Sequence, residues 1–246
     1  MTPPSEQDAP ATERRAELAA SLALLREQVD RACADAGRRA EEITTIAITK
    51  TFPASDVRLL AELGVSDVGE NRDQEAADKA RDCADLPLAW HFVGQLQTNK
   101  ARSVASYASA VHSVDRLRLV RALETAAAEA GRRLDCFLQV SLDPSEHRQD
   151  QSRGGADPSD VEKIATAVAA AAHLDLRGVM AVAPNGADPR PAFDRLSRIS
   201  TVLIAQHPAA TAISAGMSGD FEAAIAAGAT HLRVGAALLG RRARTG

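Results

Sequence analysis

Apolar residues recur at spacings of three and four through residues 13–39, where Leu18, Leu22, Leu25, Val29 and Ala32 form one stripe. That period predicts a long amphipathic helix. Residues 1–12 are polar and proline-containing, with no apolar stretch, and are expected to be a disordered tail and not a signal peptide. After residue 40 the pattern becomes short apolar runs separated by helical periods. Strands are predicted over 43–50, 67–70, 88–95, 110–114, 134–141, 176–183, 212–216 and 231–239. Helices are predicted over 53–63, 72–83, 98–107, 115–130, 157–172, 191–206 and 221–227. Pro53 marks a helix start, and Gly64 and Gly131 stand just past helix ends. The longest polar stretch, 142–156, contains Pro144, Gly154 and Gly155 and reads as a loop.

Eight strands, each but the last followed by a helix, in 246 residues predict an α/β fold, a single (β/α)8 TIM barrel. The N-terminal helix is then an extra element, serving either as the eighth outer helix or as a lid over the barrel bottom. A doubly wound open sheet is the competing architecture. It calls for a glycine-rich first turn, whereas the first strand here runs into Lys50-Thr51-Phe52-Pro53. No linker divides the chain, so one domain is expected over 13–246.

Composition removes several functions. Aromatic residues make up 3% of the chain, the net charge is −4, and the arginines are scattered among acids. Neither base stacking nor a basic stripe is present, and no nucleic-acid partner is expected. No apolar run is long enough to span a bilayer, so no membrane association is expected. Cys33, Cys83 and Cys136 are far apart, without metal-ligand spacing, and read as reduced thiols of a cytoplasmic protein.

In a barrel the C-terminal strand ends converge on one face, where ligands bind. Lysine is scarce, with only Lys50, Lys79, Lys100 and Lys163, yet Lys50 ends the first predicted strand. An amine there is expected to be desolvated and able to condense with an aldehyde. Gly216-Met217-Ser218-Gly219-Asp220 after the seventh strand and Val234-Gly235-Ala236-Ala237 in the eighth have the small residues of a phosphate cradle. A reactive lysine facing a phosphate grip suggests a phosphorylated aldehyde, and pyridoxal 5'-phosphate fits. Arg233 would lie between the two, near the pyridine ring, whose nitrogen stays unprotonated because guanidinium cannot accept its proton. His91 and His112 read as core or supporting histidines in preference to general bases. Asn71 is placed to cap the following helix.

These residues carry a family resemblance. Ala47-Ile48-Thr49-Lys50-Thr51, the run Val68 to Glu75, the run Trp90 to Lys100, Val111 to Asp115, Gly216 to Asp220 and Arg233-Val234-Gly235 resemble the YggS/PROSC pyridoxal phosphate homeostasis proteins, in order and over about residues 15–240. That family is itself similar to the barrel domain of alanine racemase without its second domain. The resemblance implies a Schiff base on Lys50, Asn71 beside the cofactor, and Met217 lining the pocket. It also implies phosphate held by Ser218 with the backbone of Gly235 and Ala236, and Arg233 facing the pyridine nitrogen. The chain departs from the family at Thr49, where serine is usual, and at Ala236, where a hydroxyl residue is common. The loop 141–155 is longer than usual and carries Arg153 where lysine is frequent.

Three functions compete. The expected one is a carrier that holds and buffers pyridoxal phosphate, with delivery to pyridoxal-phosphate-dependent apoenzymes as an extension. The second is a racemase or decarboxylase. It needs a further base, usually a tyrosine from a second domain, and the single tyrosine here, Tyr107, falls on a predicted outer helix. The third is a Schiff-base aldolase acting on a sugar phosphate. The expectation is therefore a non-catalytic protein, and a monomer because the racemase dimer-forming domain is missing.

Overall fold

The computed structural model describes residues 9–142, 154–184 and 186–240. Strands β1 (Thr44–Ile48), β2 (Asp67–Glu70), β3 (Ala89–Phe92), β4 (Ala110–Val114), β5 (Leu134–Gln139), β6 (Leu174–Met180), β7 (Ala212–Ser214) and β8 (His231–Val234) run parallel. They close into a barrel in sequence order, with β8 paired back to β1. The predicted barrel, and not the open sheet, is the fold.

The outer layer comprises α1 (Ala9–Asp35), α2 (Ala54–Glu62), α3 (Asp73–Asp82), α4 (Ala101–Tyr107), α5 (Leu117–Ala130), α6 (Val161–Ala169), α7 (Arg190–Gln206), α8 (Phe221–Ala226) and α9 (Ala236–Leu239). Alternating strand residues divide the core. Ala47, Val68, Val111, Leu138, Val179 and Leu232 join the large cluster shared with the helices. Ala110, Phe137, Met180 and Ala212 form a small separate cluster inside the barrel. This is the period-two alternation of a strand buried on both faces.

Most element boundaries differ from the pattern reading by a few residues, and four of these differences bear on the fold and the mouth. Helix α1 begins at Ala9, so residues 9–12 of the expected tail are helical, while residues 1–8 lie outside the described residues. β1 stops at Ile48 and β3 at Phe92, two and three residues short of expectation. β8 stops at Val234, and Ala236–Leu239 forms a short helix in which the Leu238 and Leu239 N–H groups donate to Gly235 O. Once past the barrel rim an Ala-Ala-Leu-Leu run has no strand partner, and its own propensity is helical. The expected loop over 142–156 falls mostly outside the described residues. Its ends are pinned by Ser141 N–H to Ala156 O at 2.9 Å and Ala156 N–H to Gln139 O at 2.8 Å.

Helix α1 packs against α2 on one side and against α8 and α9 on the other. It therefore occupies the outer-helix position that the short α9 cannot fill, and is not a lid. Leu18, Leu22, Leu25 and Val29 are buried, as the stripe predicts. Arg14 donates to Asp56 Oδ2 at 2.7 Å and to Leu239 O at 3.0 Å, tying the helix to α2 and α9. Cys33, Cys83 and Cys136 are buried free thiols. Among the described residues no helix is long and apolar enough to cross a membrane.

If α1 is integral to the barrel, Leu25→Ala will lower stability by about 2–5 kcal/mol in urea unfolding, because Leu25 is 2% exposed. A loss near zero would show a dispensable helix.

Candidate ligand site at the barrel mouth

Lys50 lies two residues beyond β1, in a turn, and is exposed. The expectation of a desolvated strand-end amine is thus corrected. The strand ends before Lys50, and the chain turns at Thr51, whose φ of 71° is in the left-handed region that a β-branched residue rarely occupies.

A buried cluster under this turn holds its backbone. Lys79 of α3 is 6% exposed, and its Nζ donates to Thr49 O, Glu70 Oε1 and Glu75 Oε1, each at 2.7 Å. Thr49 Oγ1 donates to Glu70 Oε1 at 2.7 Å, and the Thr51 N–H donates to Glu75 Oε1. The residues on both sides of Lys50 are therefore tied to one buried ammonium and its two carboxylates. Burial pushes the Glu70 carboxyl up, against the pull of Lys79 and Thr49. Glu75 also feels burial, but Lys79 and the Thr51 N–H outweigh it and hold its carboxyl low. The pattern reading missed Lys79. Its signals were the i, i+4 spacing from Glu75 and the scarcity of lysine.

Asn71 follows β2 and is half-buried. The cap residue of α3 is Arg72, with no side-chain cap bond, so Asn71 does not cap this helix. Its backbone instead lies against Gly94, where an added Cβ would stand 2.1 Å from Asn71 O. Only glycine permits that approach. Asn71 borders a cleft of about 280 Å³, together with Arg72, Gln95, Gln97 and Lys100.

The turn after β7 is closed by Met217 N–H donating to Asp220 Oδ1 at 2.5 Å, and by Asp220 and Phe221 N–H donating to Met217 O. Met217 is 37% exposed and Ser218 half-buried. Ser218 Oγ accepts the Ala237 N–H at 3.1 Å, which joins this turn to the first residues of α9. Gly235 lies beside the end of β1, where an added Cβ would stand 3.4 Å from Ile48 O. Ala236 is exposed beside it.

Arg233 points into the barrel and is 5% exposed. It donates to Ser214 Oγ at 2.7 Å and to Ala181 O at 2.8 Å. Burial lowers its pKa to about 10, opposed by the charge of Asp220. No carboxylate forms an ion pair with it among the described residues. Lys50, Asn71, Met217, Ser218, Arg233, Gly235 and Ala236 thus lie at or just beyond the C-terminal ends of β1, β2, β7 and β8. His91 and His112 lie in the interior, as expected, and Arg153 falls outside the described residues.

The family model for the alanine racemase N-terminal domain matches residues 21–243. A pyridoxal phosphate homeostasis protein of Mycobacterium leprae is 42% identical over 93% of this chain and 94% of its own. The chain belongs to the pyridoxal phosphate homeostasis protein family. The chain is also similar to PipY of Synechococcus elongatus, which has been solved with pyridoxal phosphate bound. It is 34% identical, with a TM-score of 0.79 over 91% of this chain and 100% of PipY. Alanine racemase from Streptomyces coelicolor superposes with a TM-score of 0.70 at 17% identity, over 94% of this chain and 59% of the racemase. At that identity the likeness is one of fold: the chain has the barrel of the racemases.

Lys79→Met will lower stability by about 3–5 kcal/mol at pH 7, because it leaves two carboxylates without their shared cation. The penalty falls only on ionised carboxylates, whose pKa values rise in the variant. The deficit should therefore shrink as pH is lowered through the carboxylate range. Urea unfolding at pH 7 and pH 5 measures both, and a pH-independent deficit would contradict the cluster's role.

Proposed function

We propose that this protein holds pyridoxal 5'-phosphate as a Schiff base on Lys50, buffering the cofactor and delivering it to apoenzymes without turning over a substrate of its own. The observation that carries the reading is Arg233, a guanidinium buried at the mouth with no carboxylate bonded to it among the described residues and with N–H donors left over. A buried cation of this kind is stabilised by a ligand acceptor. A neutral pyridine nitrogen suits it, because arginine donates and cannot accept.

The remaining donors fit the group as well. Ser218 Oγ accepts the Ala237 N–H, so its own proton remains available to a phosphate oxygen. At the start of α9 the Ala237 N–H is taken by Ser218 Oγ and the Leu238 and Leu239 N–H groups by Gly235 O, which leaves the Ala236 N–H for a ligand, and Gly235 lets the backbone come close. Ala236 removes one hydroxyl from this grip, and the backbone carries the contact there. When bound, pyridoxal phosphate supplies an aldehyde, with which a primary amine forms a carbon–nitrogen double bond and loses one water. Exposure gives Lys50 access to that aldehyde, and the Lys79 cluster limits where its backbone can go. Asn71, steadied by Gly94, and Met217 complete the wall.

Retention without turnover is supported by Tyr107. It lies on α4, outside the barrel, with its hydroxyl buried, and burial together with Asp73 and Glu70 pushes its pKa up. That is the wrong direction for a base. A cytoplasmic monomer completes the reading, and the three buried thiols are compatible with a reducing compartment.

Lys50→Ala should abolish the yellow absorbance of cofactor-loaded protein while leaving the unfolding midpoint unchanged. Arg233→Ala should weaken pyridoxal phosphate binding roughly 10–100-fold, the scale of lost hydrogen bonds to a charged donor. Equilibrium dialysis with absorbance spectra measures both. Unchanged spectra and affinity in both variants would reject the site. Amino-acid racemisation that requires Lys50 would reject the carrier role in favour of a racemase.

A further inference from the structure

The barrel interior contains more polar side chains than the mouth requires. Behind Arg233 they form one connected line. Ser214 Oγ lies 2.9 Å from His112 Nδ1, His112 Nε2 lies 2.9 Å from His91 Nδ1, and His91 Nε2 lies 2.9 Å from Asp67 Oδ1. The line crosses the barrel from β8 through β7, β4 and β3 to the first residue of β2, at the opposite end. Ser214 and His112 are 0% exposed.

Connectivity determines which atom carries each proton. Guanidinium only donates, so Ser214 Oγ accepts from Arg233. The Ser214 hydroxyl proton must then find an acceptor, and among the described residues the one within reach is His112 Nδ1. If His112 Nδ1 carried a proton instead, a fully buried hydroxyl would be left without an acceptor, which is costly. His112 therefore carries its proton on Nε2 and donates to His91 Nδ1. His91 in turn carries its proton on Nε2 and donates to Asp67. Burial, with His91 and Arg233 adding to it, lowers the pKa of His112 well below the usual range, so this ring is neutral. Burial raises Asp67, but the bonds from His91 and Ser66 outweigh it and keep this end of the line a carboxylate. Every link donates in the same direction, from Arg233 to Asp67.

We propose that Ser214, His112 and His91 are positioning residues for Arg233, forming a one-way hydrogen-bond line anchored on Asp67 that sets the orientation of the guanidinium toward the cofactor ring. This rests on the reading that Arg233 faces the ring. The line gives Arg233 a directional acceptor where, among the described residues, no carboxylate is paired with it. Losing His112 frees the Ser214 hydroxyl to rotate, and losing Ser214 removes the acceptor itself, so either change loosens the guanidinium.

Two measurements test it on the full-length protein. Long-range ¹H–¹⁵N spectra, without and with pyridoxal phosphate, should show His91 and His112 both neutral and protonated on Nε2. A proton on His112 Nδ1, or an imidazolium at His91, would overturn the direction. Ser214→Ala and His112→Phe are then compared with Arg233→Ala. The phenylalanine ring replaces an imidazole already stacked on Phe137 at 4.1 Å between centroids, so cooperative unfolding should persist. Both variants should release pyridoxal phosphate roughly tenfold faster and shift its visible absorption maximum. If Arg233→Ala weakens binding while the other two match wild type, the line has no positioning role. If all three match wild type, it is the placement of Arg233 against the ring that fails. Should one variant not fold, the other and the wild-type spectra still decide.

Discussion

The pairing of β8 with β1 is the constraint on which the rest depends. Thr44, Thr45, Ile46 and Ala47 lie in register with His231, Leu232, Arg233 and Val234. An open parallel sheet would leave an unpaired edge at each of these strands, and closure removes both. The same register brings together two segments far apart in sequence. The turn carrying Lys50 leaves β1 beside Gly235 and the start of α9, so an amine and the backbone of Gly235 and Ala236 meet at one rim. Helix α1 supports the closure from outside by filling the position next to β8 that a four-residue α9 leaves open.

Three basic side chains near that rim have three different environments. Lys79 is buried but satisfied, with two carboxylates and a carbonyl around its ammonium, and its effect is to hold backbone in place. Arg233 is buried with neutral acceptors alone, which leaves it short of compensation. Lys50 is exposed. A chain with so few lysines thus uses one to build the platform and presents another on it. The desolvation cost of Lys79 is met by carboxylates inside the fold, whereas Arg233 has only neutral hydrogen-bond acceptors among the described residues.

The strand count, the barrel and the stripe on α1 were legible because apolar periodicity reports burial directly. Residues just past strand ends were less so. Ala236–Leu239 is apolar whether it continues β8 or coils into α9, and periodicity does not separate those outcomes over four residues. Lys50 at the end of an apolar run looked buried because the pattern does not show where the strand leaves the barrel. The Thr51 turn that exposes it depends on Glu75, more than twenty residues on. The mouth residues were readable as a set, since barrel topology alone brings strand ends together. The line from Arg233 to Asp67 was not readable. His91 and His112 were recognisable as interior, but their link to Ser214 joins β4 to β7 across the barrel, a contact no local pattern encodes.

The proposed function requires that Lys50, and no other lysine, be the covalent attachment point. Protein loaded with pyridoxal phosphate can be reduced with borohydride, digested, and the modified peptide located by mass. One phosphopyridoxyl group per chain is expected, on Lys50. Modification of Lys79, Lys100 or Lys163 with Lys50 untouched would contradict it.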